Sequence, residues 1–177
     1  ADRSNEAFNS FAISVKSGAP DESIVAFVQE GLTHAGSLSR FFWPSKARQG
    51  RKLGRTLGQL RDARAEKLRA AFQLSDESPL KDRGIRDALE HFDERLDEYL
   101  LSLMGGHIFP RPIVGSISAM NDPAAKFFKM VDPETLCFVL FGKEHRFGNL
   151  RDEVFKVLES ALRMDVEGSR LAGGNGG

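Results

Sequence analysis

Cys137 is the only cysteine in the chain. No disulfide can form within it, and a zinc site built from several thiolates is excluded. That scarcity suits a reducing cytosol. Net charge is absent too: 25 lysines and arginines balance 25 aspartates and glutamates. The whole chain therefore offers no electrostatic attraction to nucleic acid, and only local clustering can supply one. No run is long and apolar enough to cross a bilayer, so no membrane partner is expected. The opening residues Ala1-Asp2-Arg3-Ser4-Asn5-Glu6 are polar and lack a signal-peptide core, which makes the cytoplasm the expected location. HExxH, Walker A, GxGxxG and EF-hand patterns are all missing, so neither a metal nor a cofactor is expected. Ser37-Leu38-Ser39-Arg40 has no nucleophile pattern, and no internal repeat is visible. A serine or cysteine hydrolase is not expected.

The length of 177 residues suits one domain with a sizeable core. Apolar spacing then sets out the elements. Phe8, Phe11, Ala12 and Val15 predict a first helix over about 4–16, broken by Ser17-Gly18-Ala19-Pro20. Asp21 is the expected N-cap of a second helix carrying Ile24, Phe27, Val28, Leu32, Ala35 and Leu38 and stopping near Trp43, before Pro44. A basic stretch follows: Lys46, Arg48, Arg51, Lys52, Arg55, Arg61, Arg64, Lys67 and Arg69 stand against Asp62 and Glu66. Leu53, Leu57, Leu60, Leu68 and Phe72 give it the inner face of a third helix, weakened early by Gly50, Gly54 and Gly58. Ser75-Asp76-Glu77-Ser78-Pro79 reads as a loop. Ile85, Leu89, Phe92, Leu96, Tyr99 and Leu103 form the most regular stripe, one fourth helix ended by Gly105-Gly106.

Together these helices predict a mainly α fold, an antiparallel four- to five-helix bundle over residues 1–104. The pattern then changes. Residues 107–121 contain Pro110, Pro112 and Gly115 and read as loop or edge strand. Residues 127–131 and 136–141 read as two strands turning at Asp132-Pro133-Glu134-Thr135, with His145 in the turn that follows. Asn149 is the expected cap of a terminal helix with Leu150, Val154, Val157, Leu158 and Ala161. Residues 105–167 thus form a hairpin-and-helix appendage packed on the bundle, and 168–177 a flexible tail. Cys137 falls in an apolar strand and reads as an inert core thiol.

The fourth helix also carries Arg86-Asp87-Ala88-Leu89-Glu90-His91. A permanent cation stands near the side chain that titrates closest to neutral pH. With the bundle and this motif placed, the chain resembles the HEPN superfamily, named for higher eukaryotes and prokaryotes nucleotide-binding proteins. The family motif is an arginine, usually a polar residue, three more positions and a histidine on a late helix of the bundle. Arg86, Asp87 and His91 fill those positions, although Asp87 stands where active members commonly carry asparagine. The resemblance implies a metal-independent endoribonuclease, of toxin or defence type, acting as a homodimer with two motif copies facing each other. An antitoxin or other protein partner, and RNA as substrate, come with that implication.

Read from the residues, positions five apart differ by about 140° around a helix. One helix does not easily bring Arg86 and His91 onto one phosphate, and a second copy across a twofold would supply the missing group. Asp87 and His91, four apart, share a face, so Asp87 is expected to orient the imidazole. In the catalytic reading, His91 moves the proton of a ribose 2′-hydroxyl or leaving oxygen and Arg86 holds the phosphate. Arg48, Arg51, Lys52, Arg55 and Arg61 would hold the RNA backbone, and Phe41, Phe42 and Trp43 are core residues or base-stacking ones. The rival reading is a non-catalytic protein- or nucleotide-binding module in which the motif makes only helix-surface ion pairs, Arg86 with Glu90 or Asp82. The direction in which Arg86 and His91 point separates the two.

Overall fold

The computed structural model describes residues 1–44, 52–103 and 105–168, with backbone alone for 52–55. The expected tail therefore lies outside the described residues, apart from Gly168. The fold is mainly helical, with two small sheets and a C-terminal helix. Helices α1 (Asp2–Ser17) and α2 (Asp21–Phe42) form an antiparallel pair. Gly18, at φ 65°, is the left-handed cap that ends α1 and turns the chain. Pro20, not Asp21, is the N-cap of α2. The Asp21 carboxylate instead accepts the Val114 N–H at 3.0 Å, tying a strand to the helix start. Helix α3 (Lys52–Ala71) carries the basic stretch from Lys52 onward; Lys46, Arg48 and Arg51 lie outside the described residues.

The expected fourth helix is two helices. α4 (Gly84–Glu90) and α5 (Phe92–Ser102) meet at His91, whose φ −111° and ψ 42° leave the helical region. The stripe continues through the break. Ile85 of α4 is part of the main core, against which Leu89, Phe92 and Phe141 also pack. Phe92 and Tyr99 of α5 meet the Phe141 ring at a tilt, with centroids 4.8 and 5.7 Å apart.

Six strands follow among the described residues: β1 (His107–Phe109), β2 (Ile113–Val114), β3 (Ala125–Phe127), β4 (Lys129–Asp132), β5 (Cys137–Leu140) and β6 (Lys143–Arg146). β1 pairs with β3 in parallel; the larger sheet has the order β2-β4-β5-β6. The expected hairpin is β4–β5, with Asp132 opposite Cys137. Asp132 closes it by accepting the N–H groups of Glu134 and Thr135 at 2.9 and 3.1 Å, and that of Ile117 at 2.9 Å. Burial works against the Asp132 charge, yet these donors hold its carboxyl below the ordinary range. His145 lies in β6, not in a turn. Phe141 and Gly142, both at positive φ, make the two-residue turn into that strand. The last helix, α6 (Gly148–Val166), has Phe147 as its N-cap, two residues before the expected Asn149.

One apolar core runs through both halves of the chain. Phe8 and Phe11 of α1, Val28 and Leu32 of α2, and Val131, Phe138 and Leu140 of the sheet meet around Phe147. Phe8 stacks on Phe147 at 5.7 Å, and Phe11 meets the same ring edge-on at 5.8 Å. Each such ring contributes about 1.5–3 kcal/mol by burial. The opposite face of the sheet, Met130 and Val139 with Phe127, is covered by Ile117 and Met120. Phe42, Trp43, Leu80, Val154 and Val157 make the cluster that seats α6.

The α1–α2 contact depends on Gly31, whose carbonyl accepts the buried Ser4 hydroxyl at 2.7 Å. A Cβ there would lie 2.8 Å from the Phe8 ring, which is itself wedged against Phe147. Gly31→Ala should gain about 1 kcal/mol of helix propensity and lose about 1–3 kcal/mol to crowding, a net loss on urea unfolding. A stabilised variant would contradict this packing.

Candidate functional site

Helix α4 is positioned from its first turn. Asp82 accepts the Gly84 N–H at 2.8 Å, and Arg83 reaches back to the carbonyls of Trp43 and Pro44, both at 3.2 Å. The chain after the loop is thereby fastened to the end of α2. Asp82 serves as a backbone acceptor here, and the expected Asp82–Arg86 ion pair is not formed.

Arg86 is buried, 7% exposed, against α2. Its stem lies where a side chain at position 36 would be: a Cβ on Gly36 would sit 2.9 Å from Arg86 Cγ. The guanidinium then meets three groups. Nη2 donates to Asp87 Oδ1 at 3.1 Å and Nη1 to the Ser39 hydroxyl at 3.4 Å. Nε is buried and stands 3.8 Å from Glu90 Oε1, too far for a hydrogen bond but close enough for charge pairing. Glu90 also takes the guanidinium of Arg40 from α2. Two carboxylates and one hydroxyl thus surround a charge that burial would otherwise penalise.

His91 is placed otherwise. Its side chain is 56% exposed at the α4–α5 junction, and Nδ1 lies 3.5 Å from Glu94. Asp87 does not orient it; that carboxylate is engaged by Arg86. The motif therefore brings Arg86 and Asp87 together and leaves His91 to a local pair on the surface.

Two clefts lie beside the motif. The larger, about 420 Å³, is bounded by α4, α5 and the β5–β6 turn and lined by Asp87, Arg95, Tyr99, Phe141, Lys143 and His145. The second, about 370 Å³, lies across Gly84 and includes Asp82, Glu144 and His145. Neither Arg86 nor His91 lines either one. His145, which lines both, was expected in a turn and not in a site, because Lys143-Glu144-His145-Arg146 lacks any apolar alternation. Among the described residues no group of three His, Cys, Asp or Glu is arranged to hold a metal ion.

The basic stretch is only partly described. Arg48 and Arg51 lie outside the described residues; Lys52 and Arg55 begin α3, and Arg61 is exposed on it. Arg69 turns inward, donating to the Phe42 carbonyl and covering the Trp43 ring at 5.8 Å. Phe42 and Trp43 are core residues, while Phe41 is exposed beneath Arg64. Cys137 is fully buried, and burial raises its thiol pKa. No helix among the described residues is long and apolar enough to cross a membrane. No family model, curated protein or solved structure matches this chain.

His145 gives the site a pH dependence. Its Nε2 is buried without a hydrogen-bond partner. Burial first, then Lys143, lowers its pKa, and Asp82 opposes them only in part. The folded state therefore prefers the neutral ring, while the unfolded chain takes up a proton near its ordinary value of about 6.5. Stability held above that value is lost as pH falls through and below it. Urea midpoints should drop between pH of about 7.5 and 5.5, and His145→Leu should flatten the drop. An unchanged slope in the variant would show that another group titrates.

Proposed function

We propose that this chain is a non-catalytic, HEPN-like helical module that binds a protein partner in the cytoplasm. The observation that carries this reading is the engagement of Arg86. Its guanidinium is buried beside Asp87, Glu90 and Ser39, and a phosphate would have to displace carboxylates to reach it. His91, the proposed proton carrier, stands apart with Glu94. General acid–base catalysis needs the titrating group within hydrogen-bond reach of the reacting oxygen while another group holds the phosphate. The endoribonuclease reading would need a second copy to bring an imidazole to Arg86 and the local pairs to open together. An inert member of the family pattern needs neither. On this reading there is no toxin activity for an antitoxin to restrain.

The exposed cations Arg61, Arg64 and Lys67 of α3 are compatible with weak, salt-sensitive contact to RNA, but they are accompanied by Asp62 and Glu66 on the same helix. Such contact would hold a backbone without cutting it. The decisive assay is purified chain with structured and single-stranded RNA in excess chelator. Wild type and His91→Ala should leave both substrates equally intact. Cleavage that disappears in His91→Ala would overturn the proposal and restore the ribonuclease.

A further inference from the structure

Helix α6 has two apolar faces, and among the described residues only one is covered. Val154 and Val157 are buried against Phe42, Trp43 and Leu80. On the far side Phe155, Leu162 and Val166 are 45, 57 and 87% exposed. At 100° per residue these three lie within about 20° of a common line along the helix. Isolated surface apolar groups are ordinary; an aligned set along a helix is the pattern of a pairing seam.

The charges beside the seam specify what fits it. Asp152, Lys156, Glu159 and Arg163 flank one side, and Arg151 and Asp165 the other. In a parallel self-pair each flank meets the opposite flank of its copy, where Arg151 and Asp165 answer Asp152 and Arg163 but no charge answers Lys156 or Glu159. In an antiparallel pair about a twofold near residue 158, Phe155 meets the partner's Leu162. The same register sets Asp152 beside the partner's Arg163 and Lys156 beside the partner's Glu159. On the opposite flank Arg151 meets the partner's Asp165. A twofold perpendicular to the helices brings each flank against its own counterpart, so all these pairings are allowed at once. Every flanking pair is opposite in sign. Within one copy, Arg151 contacts Asp152 at 2.8 Å, an exposed pair that exchanges at little cost, and the exposed Lys156 lies only 3.8 Å from the largely buried Glu153.

We propose that a second copy of this chain docks antiparallel along the outer face of α6, through Phe155 and Leu162, with register set by Asp152–Arg163 pairs. This names a partner for the module proposed above, and the two ideas fail separately: RNA cleavage reports on one and oligomeric state on the other.

Sedimentation equilibrium of the full chain is the test, with circular dichroism confirming that each variant is folded. The wild type should populate a dimer, and Leu162→Glu should be monomeric. Arg163→Asp places two like-charge contacts in the dimer and should raise its dissociation constant about tenfold. Adding Asp152→Arg to Arg163→Asp restores opposite signs and should recover most of the loss. A wild type that stays monomeric up to about 100 µM overturns the proposal. So does a dimer indifferent to Leu162→Glu, or a charge reversal that the second reversal fails to rescue.

Discussion

A buried guanidinium organises the middle of this protein. A charge taken out of water is costly unless it is paired and hydrogen-bonded. Arg86 meets that demand with Asp87 and Glu90 from its own helix and Ser39 from α2. Gly36 leaves the space for its stem. Glu90 extends the arrangement to Arg40, so α4 is fixed to α2 by two arginines sharing one carboxylate. With α4 held there, α5 must diverge at His91 to reach Phe141 and Phe128 with Phe92 and Tyr99. The larger cleft opens beneath that divergence.

Chemistry follows from the same constraint. The Arg86 guanidinium has two carboxylates close by, and the His91 imidazole, outside both clefts, stands with Glu94. The motif acts as a joint between helices. The described surface carries exposed apolar and charged side chains on α6 and α3, together with a partly buried imidazole between two clefts.

Much of the fold was legible in the residues. The stripes of α1, α2 and α6 face a core where they were expected to, and the Asp132 turn closes the β4–β5 hairpin. The break at His91 was not legible, because Phe92, Leu96 and Tyr99 prolong the periodicity of Ile85 and Leu89 without interruption. β6 was hidden by its wholly polar sequence; its place is set by the Phe141-Gly142 turn and pairing with a buried strand. At the site, the angular separation expected of Arg86 and His91 assumed one continuous helix, which the break at His91 interrupts. The burial of Arg86 could not, since it depends on Gly36 and Ser39, contributed from a distant helix.

The structural role of Arg86 is tested most directly by a double-mutant cycle in urea unfolding, with Arg86→Met, Glu90→Gln and the pair. Each single change should destabilise the fold, and the pair should lose less than the sum, leaving a coupling of about 1–3 kcal/mol. Additive losses with no coupling, or an Arg86→Met variant as stable as wild type, would contradict a guanidinium committed to the interior and leave it free for a substrate.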